Sequence, residues 1–194
     1  QEIEHQVLNA DWDDVFTDTP SRADLPFRRK EDTRRYIQGR EWGLKGVHLV
    51  APRGFIVGNK LTYLLRSATL ATATMTDFDR LPVPFRAVAT DISTGEAVVL
   101  SRGDLVQSIR ASISIPGVFS PVEIDGRLLV DGGLVDNVPV DVARTMGVDV
   151  VIAVDVGGRL ASPERLRTAF GISKQVMGLL SRKNADLQIA MADI

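Results

Sequence analysis

The sequence predicts an α/β fold, a sandwich of helices on a mixed sheet, and two observations carry that prediction. Pro139 opens a helical repeat that Gly147 closes, and residues 148–154 follow as an almost wholly apolar run. Helix feeding a strand covered on both faces is half of a parallel crossover unit. Just upstream, two strand-like runs within 122–130 are joined by Asp125-Gly126, the dipeptide of a tight type I′ hairpin, so part of the sheet is antiparallel. With 194 residues, 44% of them hydrophobic, the chain can bury one sizeable core, and a single domain is expected.

Taken in order, Ile3, Val7 and Leu8 fall at helical spacing with Trp12 one turn on, predicting a short amphipathic helix over 3–12. Residues 13–48 are the most polar part. They contain Thr19-Pro20-Ser21 and the run Arg28-Arg29-Lys30-Glu31-Asp32, and predict loops and weak structure anchored by Tyr36 and Trp42, the charged run reading as a solvated face. Asn59 is an acceptable N-cap for a helix carrying Leu61, Leu64 and Leu65, with fraying at Thr69, Thr72 and Thr74. Leu81-Pro82-Val83-Pro84 is a stiff connector into strands at 85–89 and 97–100, joined through the turn residues Ser93-Thr94-Gly95-Glu96. Leu105, Ile109 and Ser112 repeat at helical spacing over 104–111, and Pro116-Gly117 stops them. Pro139 suits a first helical position, where its missing N–H is harmless, and Gly147 suits the C′ position. The strand at 148–154 ends in Asp155-Val156-Gly157-Gly158, and 163–180 reads as a helix interrupted by Gly171.

Composition removes several function classes. A net charge of −2 gives no bulk field for nucleic acid, and the absence of cysteine excludes disulfides, a thiol nucleophile and a thiolate metal site. No apolar run reaches the roughly 18 residues of a membrane span. The chain opens on Gln1 without a basic, apolar leader, and a processed or incomplete piece of a longer protein is expected.

The chemistry concentrates at Leu128-Leu129-Val130-Asp131-Gly132-Gly133, where an apolar run delivers a carboxylate into two glycines. Glycine opens conformations closed to other residues and lets a neighbouring segment approach closely. Asp131 therefore reads either as the cap of a tight turn or as a catalytic group that orients or deprotonates a hydroxyl. The spacing of Asp125, Asp131, Asp136 and Asp141 matches no compact metal loop, so no metal and no cofactor is expected. His5 and His48 lie far from Asp131 in sequence, and a phosphate-binding loop is absent. No serine sits in a Gly-x-Ser-x-Gly elbow: Ser112 and Ser114 run into Pro116, and Ser173 has Gln175 where the second glycine belongs. The nucleophile of any serine hydrolase is thus not expected within these residues.

Three segments in order, Phe85-Arg86-Ala87-Val88-Ala89-Thr90-Asp91, then 110–121 with Ser112-Ile113-Ser114-Ile115-Pro116-Gly117, then Asp131-Gly132-Gly133-Leu134-Val135-Asp136-Asn137-Val138-Pro139, resemble patatin-like phospholipases. The resemblance covers roughly residues 60–158. It implies a three-layer α/β/α sandwich with a mixed central sheet, of which 1–194 would be the C-terminal major part, the nucleophile portion lying in an absent N-terminal segment. It also implies hydrolysis of lipid acyl esters by a Ser–Asp dyad, of the phospholipase A or lysophospholipase type. Asp131 matches the family's base, while Gly132, Gly133, Asp91, Asn137 and Pro139 match its site scaffold, Asn137 by satisfying turn backbone groups. Leu61, Leu64, Leu65 and Leu70 would line an acyl channel or serve as ordinary core. The partners implied are an acyl-ester lipid, the segment bearing the serine elbow and a membrane surface met transiently, with homo-oligomerisation left open. The motif wording resembles a bacterial branch that is secreted or carried to the outer membrane, and a cytoplasmic member reads much the same. The competing reading is a non-catalytic lipid- or partner-binding module of the same fold.

Overall fold

The structure, a computed structural model, describes residues 8–16, 43–45, 48–50, 56–157, 161–162 and 166–194. The chain divides into two compact units, 1–71 with 115–121 and 72–114 with 122–194.

In the first unit, α1 (Trp12–Val15) is capped by Asp11, whose side chain accepts from Asp14 N. Trp12 stacks on Phe16, and Phe16 meets Phe119 with ring centroids 5.9 Å apart. Ile3, Val7 and the charged run 28–32 lie outside the described residues. Where only weak structure was expected, β1 (Gly43–Lys45) and β2 (His48–Val50) form an antiparallel hairpin. Strands of three residues are too short to display a period. α2 (Asn59–Ala68) starts one residue earlier than expected: Gly58, with φ 81°, takes the N-cap position and Asn59 is already helical. Ile56 N donates to Val118 O and Ser120 N to Ile56 O, a single parallel bridge around Phe119.

The second unit is built on a four-stranded sheet. Its strands are β3 (Ala87–Asp91), β4 (Ala97–Leu100), β5 (Val122–Ile124) and β6 (Arg127–Asp131), in the order β4-β3-β6-β5. All three pairings are antiparallel. β3 begins two residues later than expected, because Phe85 is held off the ladder by its N–H to Phe78 O and by the Phe78 ring, 6.2 Å away. The β5–β6 turn is the expected one, with Asp125 at φ 51° and Gly126 at φ 74°, both left-handed as type I′ requires. α3 (Leu105–Ser112) is capped by Asp104, which accepts from Gln107 N at 3.0 Å. Ala111 packs with Ala87, Ala89, Leu100 and Leu129 into the core. The small side chains on β3 keep the strand fully buried while the helix lies close to it.

The fold class is α/β, and among the described residues the four-stranded sheet is wholly antiparallel, where a mixed sheet was expected. α4 (Val140–Thr145) forms after Pro139, and Gly147 closes it at φ 77°. The apolar run beyond it makes no ladder. Val151 is buried, whereas Val148, Val150, Ile152, Val154 and Val156 are exposed, from 43% to 90%. Val151 and Ala153 are tied to the chain's end by Asp193 N→Val151 O at 2.9 Å and Ala153 N→Ile194 O at 2.8 Å. The backbone groups of Val150, Ile152 and Val154 bond to no described residue. Apolar, β-branched composition gives strand propensity, but a strand exists only when a neighbour completes the ladder. The last helix, α5 (Ala169–Ile189), is longer than expected and unbroken, since Gly171 falls in its first turn, where its N–H is taken by the Thr168 hydroxyl.

Leu129 is fully buried in the centre of this sheet. Leu129→Ala should lower the free energy of unfolding by about 2–5 kcal/mol, read from the urea midpoint at unchanged m-value.

Candidate active site

Asp131 closes β6, and its backbone is fixed from two sides. Its N–H donates to Ser114 O at 2.9 Å, and its carbonyl accepts the Thr90 hydroxyl at 2.8 Å. Ser114 is itself fully buried, its hydroxyl donating to Arg110 O at the end of α3. β3 and α3 therefore hold the strand end that carries the carboxylate.

The carboxylate divides its two oxygens. Oδ1 accepts Gly133 N–H at 2.8 Å, whereas Oδ2 hydrogen-bonds to no described residue. Asp131 is thus both a cap, over the 3₁₀ turn Gly132–Leu134, and a carboxylate with one oxygen to spare. Burial pushes its pKa above the ordinary Asp value, and the Gly133 N–H offsets part of that rise.

The two glycines serve close approach rather than unusual φ. A Cβ on Gly132 would lie 2.2 Å from Val88 O and 2.7 Å from Val88 C, inside the β3 backbone. A Cβ on Gly133 would lie 2.7 Å from Asn137 Oδ1 and 3.0 Å from Asp131 Oδ1, against the carboxylate itself. Neither glycine is among the left-handed ones.

Asp131 opens onto a cleft of about 330 Å³. Phe85, Ile109, Ile113 and Pro139 supply its apolar wall, and Arg86, Ser112, Asp136 and Asn137 its polar lining. Arg86 is already committed, donating to Asp79 at 2.6 Å and to Phe85 O at 2.8 Å. Asp136 is buried, at 8% exposure, and its Oδ1 has no hydrogen-bond partner. Burial first, then the charge and the hydrogen bond of Asp141, push its pKa up to about 6.

The expected scaffold residues separate. Pro139 precedes α4 and lines the cleft. Asn137 also lines it, but is exposed and hydrogen-bonds to no described residue, so it does not satisfy the turn's backbone as expected. The turn closes on itself instead, through Val135 N and Asp136 N to Gly132 O. Asp91 shapes the β3–β4 turn by accepting Ser93 N and, through its carbonyl, Gly95 N. Leu61, Leu64, Leu65 and Leu70 belong to the first unit, where Leu61 is buried and Leu70 is 73% exposed. Sequence reasoning weighed Asp136 only as a metal ligand and missed Phe85, Arg86, Ile109 and Ile113 as cleft residues. The 3.6-residue spacing of Ile109 and Ile113 was the available signal.

Sheet, helix and glycine turn together define an α/β protein that presents a desolvated carboxylate at a strand end. The chain belongs to the patatin-like phospholipase family, whose model matches residues 1–144. It is 48% identical over 87 residues to an uncharacterized NTE family protein of Mycobacterium tuberculosis, a match covering 45% of this chain and 24% of that protein. It is 47% identical over 79 residues to patatin-like phospholipase domain-containing protein 7 of Mus musculus, and 42% identical over 79 residues to protein 6 of Homo sapiens. Each of those matches covers 40% of this chain and 6% of the mammalian protein. The chain thus matches about a quarter or less of the length of these relatives.

Gly132→Ala should force β6 away from β3 and cost about 1–3 kcal/mol of stability, measured by denaturant unfolding. Gly133→Ala meets mainly the movable end of Asn137, and should cost clearly less.

Proposed function

We propose that this chain is the C-terminal major part of a lipid acyl hydrolase domain, with Asp131 as the base of a Ser–Asp dyad whose serine lies on an N-terminal segment. The observation that carries this reading is the carboxylate itself: desolvated, fixed through its backbone, with one oxygen held by Gly133 and the other bonded to no described residue, at a cleft with an apolar wall. Desolvation raises the proton affinity of Asp131, which makes it a stronger base than a solvated aspartate. Family membership supports lipid hydrolysis in general terms.

In the proposed cycle, the serine hydroxyl attacks the ester carbonyl as Asp131 takes its proton. Backbone N–H groups of the N-terminal segment stabilise the oxyanion. Collapse expels the alcohol, protonated by Asp131, and leaves an acyl-serine. Water then attacks that acyl group, with Asp131 again accepting the proton, and the free acid and serine are regenerated. Phe85, Ile109, Ile113 and Pro139 offer the acyl chain an apolar wall. The backbone groups of Val150, Ile152 and Val154, which bond to no described residue, are consistent with a sheet completed by a further segment. The 194 residues alone carry the base without an elbow serine, and should show no turnover.

In the serine-bearing parent, Asp131→Asn should lower kcat/KM for an acyl ester by at least about 100-fold, with binding of a lipid analogue retained. Turnover near wild-type would sink the dyad. Because the pKa of Asp131 is raised, the acid limb of the pH profile should lie above the ordinary aspartate value, activity growing as pH rises through it. Ser112 provides the internal control, as the hydroxyl of this chain that shares the cleft. Ester hydrolysis by the 194-residue chain, abolished by Ser112→Ala, would place the nucleophile here and overturn the reading.

A further inference from the structure

Arg86 is the one cation that lines the Asp131 cleft among the described residues, and the dyad does not use it. It stands immediately before β3, with only 18% of its side chain exposed. An arginine carries five N–H donors in a planar fork. Here Nη1 donates to Phe85 O at 2.8 Å and Nη2 to Asp79 Oδ1 at 2.6 Å, and the remaining donors bond to no described residue. Neither Asp131 nor Asp136 pairs with Arg86, although both line the cleft with it. Asp79, in the 3₁₀ turn Phe78–Arg80, is 58% exposed. Solvent therefore screens the Asp79 side of the pair, and sharing the guanidinium with a second anion sacrifices little. The guanidinium is held from two directions, so it has little freedom left to lose when an anion binds.

We propose that Arg86 is a specificity-determining residue of the cleft. It receives the phosphate of a lipid head group while the acyl chain lies along Phe85, Ile109, Ile113 and Pro139, and Asp79 is its internal competitor. The orientation of the ester rests on the reading of Asp131 as a base, and the recognition of phosphate by Arg86 does not.

The rest of the cleft narrows the choice of ligand. Its other polar side chains are the acids Asp131 and Asp136 and the neutral Ser112 and Asn137. The two acids repel an anion placed anywhere but at Arg86, which fixes the end of the cleft that the head group takes. The fork of an arginine matches phosphate oxygens better than a point charge would. A ligand that uses both the cation and the apolar wall is an amphiphile with an acidic head. A neutral acylglycerol would fill the wall and leave Arg86 to Asp79.

The test titrates this chain with two ester-free ligands of the same alkyl chain, decylphosphocholine and decyl maltoside, each below its micelle concentration. Arg86→Gln should weaken decylphosphocholine about tenfold, the loss expected when a charged hydrogen bond is removed, and leave decyl maltoside unchanged. Asp79→Asn removes the competitor and should tighten decylphosphocholine about threefold. Both substitutions break the same ion pair, so a merely structural role moves both variants in the same direction, and that result overturns the proposal. Equal loss of both ligands in Arg86→Gln overturns it too, as does a wild type that does not bind decylphosphocholine. Arg86→Lys keeps the charge without the fork; it should fall between wild type and Arg86→Gln, and serves if the glutamine variant folds poorly. Inorganic phosphate should bind far more weakly than decylphosphocholine, and equal affinity would overturn the lipid assignment in favour of free phosphate. In the serine-bearing parent, Arg86→Gln should lower kcat/KM for a lysophospholipid about tenfold relative to the monoacylglycerol of the same acyl chain. An equal fall for both esters overturns the specificity role. The binding titrations need no turnover, so their failure is distinct from a failure of Asp131→Asn to abolish ester hydrolysis in the parent.

Discussion

Gly132 passes so close under the Val88 carbonyl that the position of a β-carbon is already taken, and the rest of the site follows from that contact. The β3–β6 ladder sets Ala89 opposite Asp131, and the next residue of β6 must then turn beneath the backbone of β3. Only a residue without a side chain can do so while the ladder stays intact. Once Gly132 is seated, its carbonyl receives Val135 N–H and Asp136 N–H, and the 3₁₀ turn closes. That closure brings Gly133 N–H onto Asp131 Oδ1. The core and the carboxylate are therefore not separable: the alanines that let α3 lie against β3 also set the strand over which Gly132 must fit.

The electrostatics follow from the same crowding. Eleven residues, 131–141, carry three carboxyl groups, and the turn gives them few donors. Asp131 receives Gly133 N–H and Asp141 receives Val142 N–H, while Asp136 Oδ1 is buried without a hydrogen-bond partner. The cation at the cleft, Arg86, is bound to Asp79 and to its neighbour's carbonyl rather than to any of the three. Solvent is partly excluded without a compensating positive charge, so Asp131 and Asp136 both bind protons more tightly than free aspartate. Such an environment suits a group that must take a proton and give it back. An arginine placed against Asp131 would have made a more stable and less basic carboxylate.

What the sequence made legible was local. Asp125-Gly126 specified its hairpin because a type I′ turn admits few dipeptides, and Pro139 and Gly147 marked helix ends because capping is decided within one turn. Asp131 stood out because an apolar strand running into Gly-Gly is a local pattern. The reason for the glycines was not local: the clash with Val88 depends on a strand more than 40 residues away, so close approach and unusual φ read alike from sequence. The burial of Asp136 escaped for a related reason, since it follows from a turn that folds back onto Gly132 O. Asn137 looked like a turn-filler and proved to be an exposed cleft residue, because Gly132 O had already taken the turn's donors.

Residues 148–156 show the same limit from the other side. Their composition is that of a central strand, and they emerge from α4 as a crossover strand should. Their conformation satisfies half of that description. One edge is closed by the chain's end, through Val151 and Ala153, and Arg144 secures that end by pairing with Asp193 at 2.8 Å. The other edge offers Val150, Ile152 and Val154 with backbone groups bonded to no described residue and side chains more than half exposed. An apolar, β-branched edge of this kind is a liability that proteins cover, because any extended chain can add to it. Asp131 lies on one side of α4 in sequence and this edge on the other, so the proposed serine-bearing segment would answer two deficits at once. It would bring a nucleophile to the carboxylate and a neighbour to Val150, Ile152 and Val154, whose backbone groups bond to no described residue. A binding module with no catalytic role would need to cover the edge as well, but would gain nothing from a carboxylate held desolvated with one oxygen bonded to no described residue.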